Sequence, residues 1–304
     1  MEGGIAAGLK RVLSGAGYYR RALGRIRFPG VAVLCYHGVR DDDLPDSAIT
    51  FHDLHIRASN FSDHCRMIRE SCDPISLDDW RAALAGRSSL PARPVLVTFD
   101  DGYRSVLRLG APVLAEHGIP AAVFVCTGPM RTRTALWFDA VAESEGHAAV
   151  DAWKSRDYDA WRAMSGAAPV LPEDDPRILM TPEELAVLSR TTGIEVGGHT
   201  AGHPILANAT AAQQRAEIED NLTAIREWTG TPARAFAYPN GRPGVDYNSD
   251  TIAILHAAGV DLAFTTHNVF SKPGESPLEL SRFLVVNEVS SVELAHRLAF
   301  TWPR

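Results

Sequence analysis

Two adjacent carboxylates and two histidines four residues apart stand out among the residues of this chain that can do chemistry. Asp100 and Asp101 end the apolar run VLVTF, and His199 and His203 lie in the segment GGHTAGHP. Adjacent acids point in different directions, so one can bind a metal ion while the other removes a proton. A cation would also relieve the repulsion that raises the pKa of one acid. A structural alternative remains, because Asp-Gly is a common turn dipeptide and HxxxH is usually two surface histidines.

One carboxylate and two histidines are enough for a three-ligand metal site. On a helical turn, side chains four residues apart have Cβ atoms about 5–6 Å apart, so His199 and His203 can share one ion. Asp101 would be the third ligand, with positions left for water and substrate. A divalent metal polarises a carbonyl and acidifies its bound water, and Asp100 can then act as the base. The same ligand set binds Fe(II) in oxygenases, which need no such base, so an oxygenase is an alternative.

The strands that precede these motifs must bring them together. Short apolar runs alternate with segments of helical period, which predicts a parallel sheet covered by helices. Ligands of such sheets bind at the carboxyl ends of the strands, where both motifs would meet. The predicted strands are Val31–Cys35, Val95–Phe99, Ala121–Cys126, Ile194–Gly197, Ala235–Tyr238, Asp261–Thr265 and Arg282–Val286. Seven strands in this order predict a barrel or a barrel-like sheet.

A third segment, RAFAYPNGRPG, again runs from a predicted strand into a Pro/Gly-rich loop. Such a loop can present backbone N–H groups to an oxyanion, and Arg234 can orient or compensate a carboxylate base. The alternative is a plain connection between a strand and a helix.

Together the three motifs resemble those of the polysaccharide deacetylase family, carbohydrate esterase family 4. The matching segments are TFDDG from Thr98, HTxxH from His199 and RxxxxP from Arg234. The resemblance covers roughly residues 31–286 and implies an α/β fold, a distorted (β/α)7 barrel. It also implies that the chain hydrolyses the N-acetyl amide of amino sugars in a polysaccharide, oligosaccharide or glycolipid precursor.

The resemblance also implies which residues do the chemistry. Asp100 would be the general base, supported by Arg234. The metal ligands would be Asp101, His199 and His203, and the ion would typically be zinc, with nickel, cobalt and iron as other candidates.

Substrate contacts are expected beside the third motif and after the first predicted strand. The backbone around Tyr238 would contribute to the oxyanion hole. The residues predicted to contact substrate are Tyr36, Tyr238 and Pro239.

The general acid departs from the commonest pattern of the family. Many members take it from a late LxxH-like motif, and His256, His267 and His296 do not match that motif. The segment YHGV instead places His37 directly after the first predicted strand, as in a branch whose late strand is permuted to the front. His37 is therefore the predicted acid, since a histidine with a pKa near 6.5 can protonate a leaving amine. A satisfied histidine at a strand end is the alternative.

The chain divides into a basic N-terminal segment, residues 1–30, and a catalytic domain, residues 31–304, with a helical insertion at about 131–180. The segment carries six basic residues and one acid, and its apolar residues recur at helical spacing. This pattern predicts a helix that packs on its own domain or lies on an anionic membrane surface. The insertion is predicted to be a lid or a substrate wall.

Composition and charge narrow the function classes. The chain is 45% hydrophobic and 22% charged, as in ordinary globular proteins, and its net charge of −7 argues against nucleic-acid binding. The four cysteines fit neither a zinc motif nor a disulfide framework. No apolar run has the length of a secretion signal or a membrane span. We therefore expect a cytoplasmic enzyme, at the inner membrane surface if the N-terminal helix binds lipid.

The substrate stays open at this stage. Removal of a formyl group or opening of a cyclic amide would use much the same residues, and a noncatalytic sugar-binding relative is a further alternative. Selectivity is expected to depend on the loop Asp41–Asp53 and on the insertion.

Overall fold

The computed structural model describes residues 17–302, and a curled sheet of parallel strands runs through its centre. The strands are β1 (Ala32–Tyr36), β2 (Gly38–Arg40), β3 (His55–Arg57), β4 (Asp73–Pro74), β5 (Pro94–Phe99), β6 (Ala121–Val125), β7 (Ile194–Gly198), β8 (Ala235–Ala237), β9 (Leu262–Phe264) and β10 (Phe283–Leu284). The seven strands predicted from the sequence are all present, and the short β2, β3 and β4 were not predicted.

The main sheet has the strand order β10-β1-β5-β6-β7-β8-β9, with every pair parallel. A bridge between Phe264 and Leu280 links β9 to the segment that leads into β10, so the sheet curls back on itself. The predicted distorted (β/α)7 barrel is confirmed. β4 pairs with β5, while β2 and β3 form a separate two-stranded sheet.

Helices cover the outside of the barrel. They are α1 (Tyr18–Gly24), α2 (Ala58–Ser71), α3 (Leu77–Leu84), α4 (Ala111–His117), α5 (Thr127–Thr132), α6 (Trp137–Glu145), α7 (His147–Trp153), α8 (Tyr158–Gly166), α9 (Pro182–Leu188), α10 (Ala211–Thr229), α11 (Ser249–Ala257) and α12 (Ser291–His296). Helices α6 to α8 lie within the predicted insertion. A π-helical turn, Val106–Gly110, precedes α4, where Pro112 has no N–H to donate to a regular helix.

The strands are apolar on both faces because one face fills the barrel and the other packs on helices. Along β5, Leu96 belongs to the interior cluster, while Val95 and Val97 belong to the cluster shared with the helices. Phe124 and Phe264 fill the interior across from Leu96. This packing fixes the strand ends from which the candidate site residues emerge.

The sequence signals for helix ends act as expected. Thr181 and Glu184 form a capping box at the start of α9, with Pro182 in the first turn. Gly118 ends α4 with a φ of 62°, a left-handed conformation that favours glycine.

The N-terminal segment is described only from residue 17 onward. Within α1, Tyr19 and Leu23 are buried against the domain, so this end of the predicted apolar face packs on the protein itself. The rest of that predicted helix lies outside the described residues. Among residues 17–302, no helix has both the length and the apolar character that crossing a bilayer requires.

Candidate active site

The carboxyl ends of β1, β5 and β7 bring the predicted metal ligands and acid–base residues together. Asp100 and Asp101 follow β5, and His199 begins the loop after β7. Nε2 of His199 and Nε2 of His203 lie 3.4 and 3.5 Å from Oδ1 of Asp101. Each of the three side chains is buried, so the predicted ligand set forms one compact cluster.

The two histidines meet through a loop and not through the helical turn that their spacing suggested. Residues 199–203 are non-helical, and Thr200 and His203 have φ angles of 67° and 65°. The loop nevertheless brings the imidazole rings to 5.0 Å between centroids. The two imidazoles therefore lie close together as expected, but the predicted helical turn between them is wrong.

Backbone strain is concentrated at this site. Of the five non-glycine residues with positive φ in the described part of the chain, four lie at or beside the cluster: Asp101, Thr200, His203 and Asn240. Left-handed backbone is costly for residues with a Cβ, above all for a β-branched one such as Thr200. The surrounding contacts must therefore hold these residues in place.

The cluster has the chemistry of a divalent-metal site. Oδ1 of Asp101 and Nδ1 of His203 are buried without a hydrogen-bond partner among residues 17–302. Nδ1 of His199 donates to the carbonyl of Ala237 at 2.7 Å, which leaves Nε2 free to bind an ion. Two imidazoles and a carboxylate whose nearest atoms lie within 4.8 Å of one another fit such an ion.

The charge states of the three side chains also suit an ion. Burial lowers the pKa of His203 to about 4, so its imidazole is neutral at pH 7. Burial would lower the pKa of His199 too, but Asp100 and Asp101 outweigh it and raise that pKa. A metal cation can replace the proton that these carboxylates attract to His199.

Asp100 is held by an arginine that the sequence analysis did not assign. Arg282, just before β10, donates from Nη1 to Oδ1 and from Nη2 to Oδ2 of Asp100, both at 2.7 Å. Its Nε donates to the carbonyl of Thr265, and its guanidinium lies over the ring of Phe124 inside the barrel. Burial opposes ionisation of Asp100, but Arg282 prevails and keeps the pKa of that carboxyl below its usual range.

Arg234 is not at the site, and its predicted role beside Asp100 is wrong. It lies at the amino edge of the sheet, where its guanidinium pairs with Asp261, the residue before β9. Arg81 joins the same group by bonding Asp261 and Glu195. The signal that was missed is a charged residue at the start of the apolar run FLVV: a buried arginine there needs an acid partner.

His37 faces the cluster from the end of β1. One of its ring nitrogens, Sγ of Cys35 and a carboxylate oxygen of Asp100 lie within 4.8 Å of one another. The three later histidines, His256, His267 and His296, do not line the cavity at this edge. This placement is compatible with the predicted acid role of His37.

The positions of Tyr36, Tyr238 and Pro239 do not support their predicted contacts with substrate. Tyr36 is buried and its hydroxyl hydrogen-bonds Nδ1 of His64 at 3.0 Å. Tyr238 stacks on Tyr247 at 3.7 Å, and its N–H donates to the carbonyl of Phe264, so it has no free donor for an oxyanion. Pro239 has no N–H at all.

Tyr36, Tyr238 and Pro239 are also absent from the cavity lining, whereas Asn240 and Thr266 line it. Both of these residues were missed by the sequence analysis. They follow β8 and β9 at the same edge of the sheet as the predicted metal ligands.

A cavity of about 640 Å³ opens over the cluster. One wall comes from residues 50–54 and another from the insertion, including Trp137, Phe138 and Lys154. Phe51 joins the two walls, because its ring packs edge-on against Phe138 and His147. Both segments predicted to determine selectivity therefore border the cavity.

Comparison with known proteins agrees with this fold and motif set. A family model described as polysaccharide deacetylase matches residues 87–263. Poly-beta-1,6-N-acetyl-D-glucosamine N-deacetylase of Escherichia coli K12 is 24% identical over 300 residues, which cover 88% of this chain and 38% of that protein. The chain thus spans well under half of that relative's length.

Solved structures show the same fold. Deacetylase PplD of Streptococcus pyogenes, in complex with acetate, superposes with a TM-score of 0.65 at 19% identity, covering 88% of this chain and 98% of that one. IcaB from Ammonifex degensii also gives 0.65, at 23% identity, covering 90% and 99%. Because the family model matches more than half of the sequence, the chain belongs to the polysaccharide deacetylase family.

Proposed function

We propose that this chain is a metal-dependent hydrolase that removes N-acetyl groups from amino sugars of a glycan or glycolipid. The observation that supports this most strongly is the division of labour at the end of β5. Asp101 joins two histidines in a cation site, while Asp100 beside it is paired with Arg282. The E. coli relative is named for removing the acetyl group of N-acetyl-D-glucosamine in a polymer.

The ion would be held by Asp101, His199 and His203, and zinc is the proposed metal. When bound, a divalent ion polarises the amide carbonyl and lowers the pKa of its water to about 7. Asp100 takes a proton from the attacking water. Because Arg282 keeps Asp100 ionised, the base is available across the neutral range.

His37 completes the reaction by giving a proton to the leaving nitrogen. Water adds to the acetyl carbon, the C–N bond breaks, and acetate and a free amine are the products. The acid and base stand on neighbouring strands, since β1 pairs with β5 and Tyr36 is opposite Phe99. This pairing keeps His37 and Asp100 at one level of the sheet.

The test is the release of primary amine from a panel of N-acetylated substrates: soluble chitooligosaccharides, lipid-linked sugars and nucleotide-linked sugars. We expect release from at least one class, its loss on treatment with a chelator, and its recovery on addition of zinc. Release that is unaffected by chelation would contradict metal dependence. An absence of release with every class and metal would contradict deacetylation.

A further inference from the structure

The loop between the two histidines is bound on one side by helix α10. The side-chain oxygen of Asn221 accepts from the N–H of His199 at 3.1 Å, and its amide nitrogen donates to the carbonyl of Thr200 at 2.7 Å. One turn earlier, the carbonyl of Glu217 accepts from the N–H of Ala201 at 2.9 Å. Helix α10 therefore hydrogen-bonds the backbone of the first half of the loop.

The Glu217 side chain links the loop to the insertion. Its Oε2 accepts from the N–H of Gly202 at 2.8 Å, directly before the ligand His203. Its Oε1 accepts from the hydroxyl of Tyr158, in α8, at 2.7 Å. Because Glu217 is buried, these two donors and the nearby positive charge of Arg162 compensate its carboxylate.

Two tryptophans of the insertion contact the other side of the loop. Nε1 of Trp137 donates to the carbonyl of His203 at 2.8 Å. Trp161 lies so close to Gly202 that a Cβ there would stand 2.7 Å from its ring. The neighbouring Phe138 packs edge-on against the imidazole of His203, with centroids 5.3 Å apart.

These contacts stabilise a conformation that the loop would not keep alone. Thr200 and His203 both have positive φ, so the loop stores strain that its surroundings must balance. Side chains that orient metal ligands without touching the ion commonly change metal affinity by about 10–100-fold when removed. The insertion supplies such contacts to His203 through Tyr158 and Trp137.

We propose that the helical insertion is a positioning element for the metal ligand His203, with Tyr158 acting through the Glu217 carboxylate and Trp137 acting on the His203 carbonyl. This role rests on the proposed metal site. For Tyr158 and Glu217 this role is separate from forming the cavity wall, because neither residue lines the cavity, whereas Trp137 does. They are positioning residues and not catalytic ones.

Tyr158→Phe is the sharpest test, because it removes one hydroxyl and keeps the packed ring. Zinc affinity is measured by competition with a chelator, and ligand geometry by the visible absorption of the cobalt(II)-loaded chain. We expect about tenfold weaker zinc binding and an altered cobalt spectrum. Zinc affinity and a cobalt spectrum equal to those of the unsubstituted chain would overturn the proposal.

Matched controls separate this effect from the loss of any buried hydroxyl or indole N–H. Tyr247→Phe also removes a hydroxyl bonded to a glutamate, Glu279, away from the loop. Trp153→Phe is the control for Trp137→Phe, since Nε1 of Trp153 donates to Glu145 within the insertion. We expect both controls to bind zinc like the unsubstituted chain, and controls as weak as the test variants would overturn the specific role.

A double variant tests whether Tyr158 acts through Glu217. If it does, adding Tyr158→Phe to Glu217→Gln lowers zinc affinity little beyond Glu217→Gln alone. Losses that simply add would contradict this route. A chain that binds zinc but releases no amine would refute the proposed deacetylation and leave the positioning role intact, whereas a chain that binds no divalent metal would refute both.

Discussion

Arg282–Asp100 and Arg234–Asp261 are the same pair of side-chain types at opposite edges of one sheet. At the carboxyl edge, Arg282 is fully buried and donates hydrogen bonds to both oxygens of Asp100. At the amino edge, the Arg234 side chain is 57% exposed, and its partner is shared with Arg81. The difference lies in the surroundings of each pair and not in the chemistry of its members.

The comparison teaches which edge of the barrel carries function. Loss of one partner of the buried pair would leave an uncompensated charge beside the candidate site, which is strongly destabilising. An exposed pair contributes little to stability and can be lost at small cost. The carboxyl edge also holds the strained residues and the cavity. At the amino edge, Arg81 of helix α3 pairs with Glu195 of β7 and with Asp261.

Among the variants that test this comparison, the largest effect is expected from His37, with another histidine at the same edge as its control. His37→Gln should lower kcat/KM for an N-acetyl sugar by about a thousandfold, because the leaving amine needs a proton. An activated aryl acetate, whose leaving group needs no proton, should lose far less. His267→Gln is the matched control, since His267 is exposed after β9 and does not line the cavity. Equal losses on both substrates would contradict an acid role.

A smaller effect is expected from Arg282→Lys. This substitution keeps the positive charge but cannot form the bidentate hydrogen bonds to Asp100. We expect kcat/KM to fall about tenfold. Arg282 holds the pKa of Asp100 below its usual range, so a weaker ion pair raises that pKa. The acidic limb of the kcat/KM profile should therefore move to higher pH. A limb that stays in place or moves to lower pH would contradict the pairing.

The smallest effect is expected from Arg234→Met at the amino edge. Activity should stay within about twofold, and the free energy of unfolding should change by less than about 1 kcal/mol. Denaturant unfolding and amine release measure the two quantities. A large loss of activity with unchanged stability would show that Arg234 takes part in catalysis, which contradicts the comparison of the two edges.

The barrel could be predicted from the sequence because its strands are unbroken apolar runs at regular intervals. The runs VLVTF and AAVFV are apolar at nearly every position, which favours a strand that is buried on both faces. The meeting of Asp101, His199 and His203 could be predicted for a related reason, since each motif follows such a run and the carboxyl ends of parallel strands meet. Motifs that follow predicted strands in the sequence are therefore close together in the folded chain.

The partners of the site residues could not be predicted in the same way. Arg282 lies 182 positions from Asp100 in the chain, and only the closure of the barrel brings them together. Arg234 follows the motif pattern of the family, but it pairs with Asp261 at the amino edge of the sheet, away from Asp100. The left-handed loop from His199 to His203 was also beyond prediction, because its conformation depends on α10 and the insertion.

The most direct test of the central claim is amine release by Asp100→Asn in the zinc-loaded chain. This substitution keeps the size of the side chain, removes the base, and leaves Asp101, His199 and His203 in place. The account predicts that zinc still binds, while the rate of amine release falls at least about a thousandfold. Amine release within about tenfold of the unsubstituted chain, with zinc bound, would show that Asp100 is not the base.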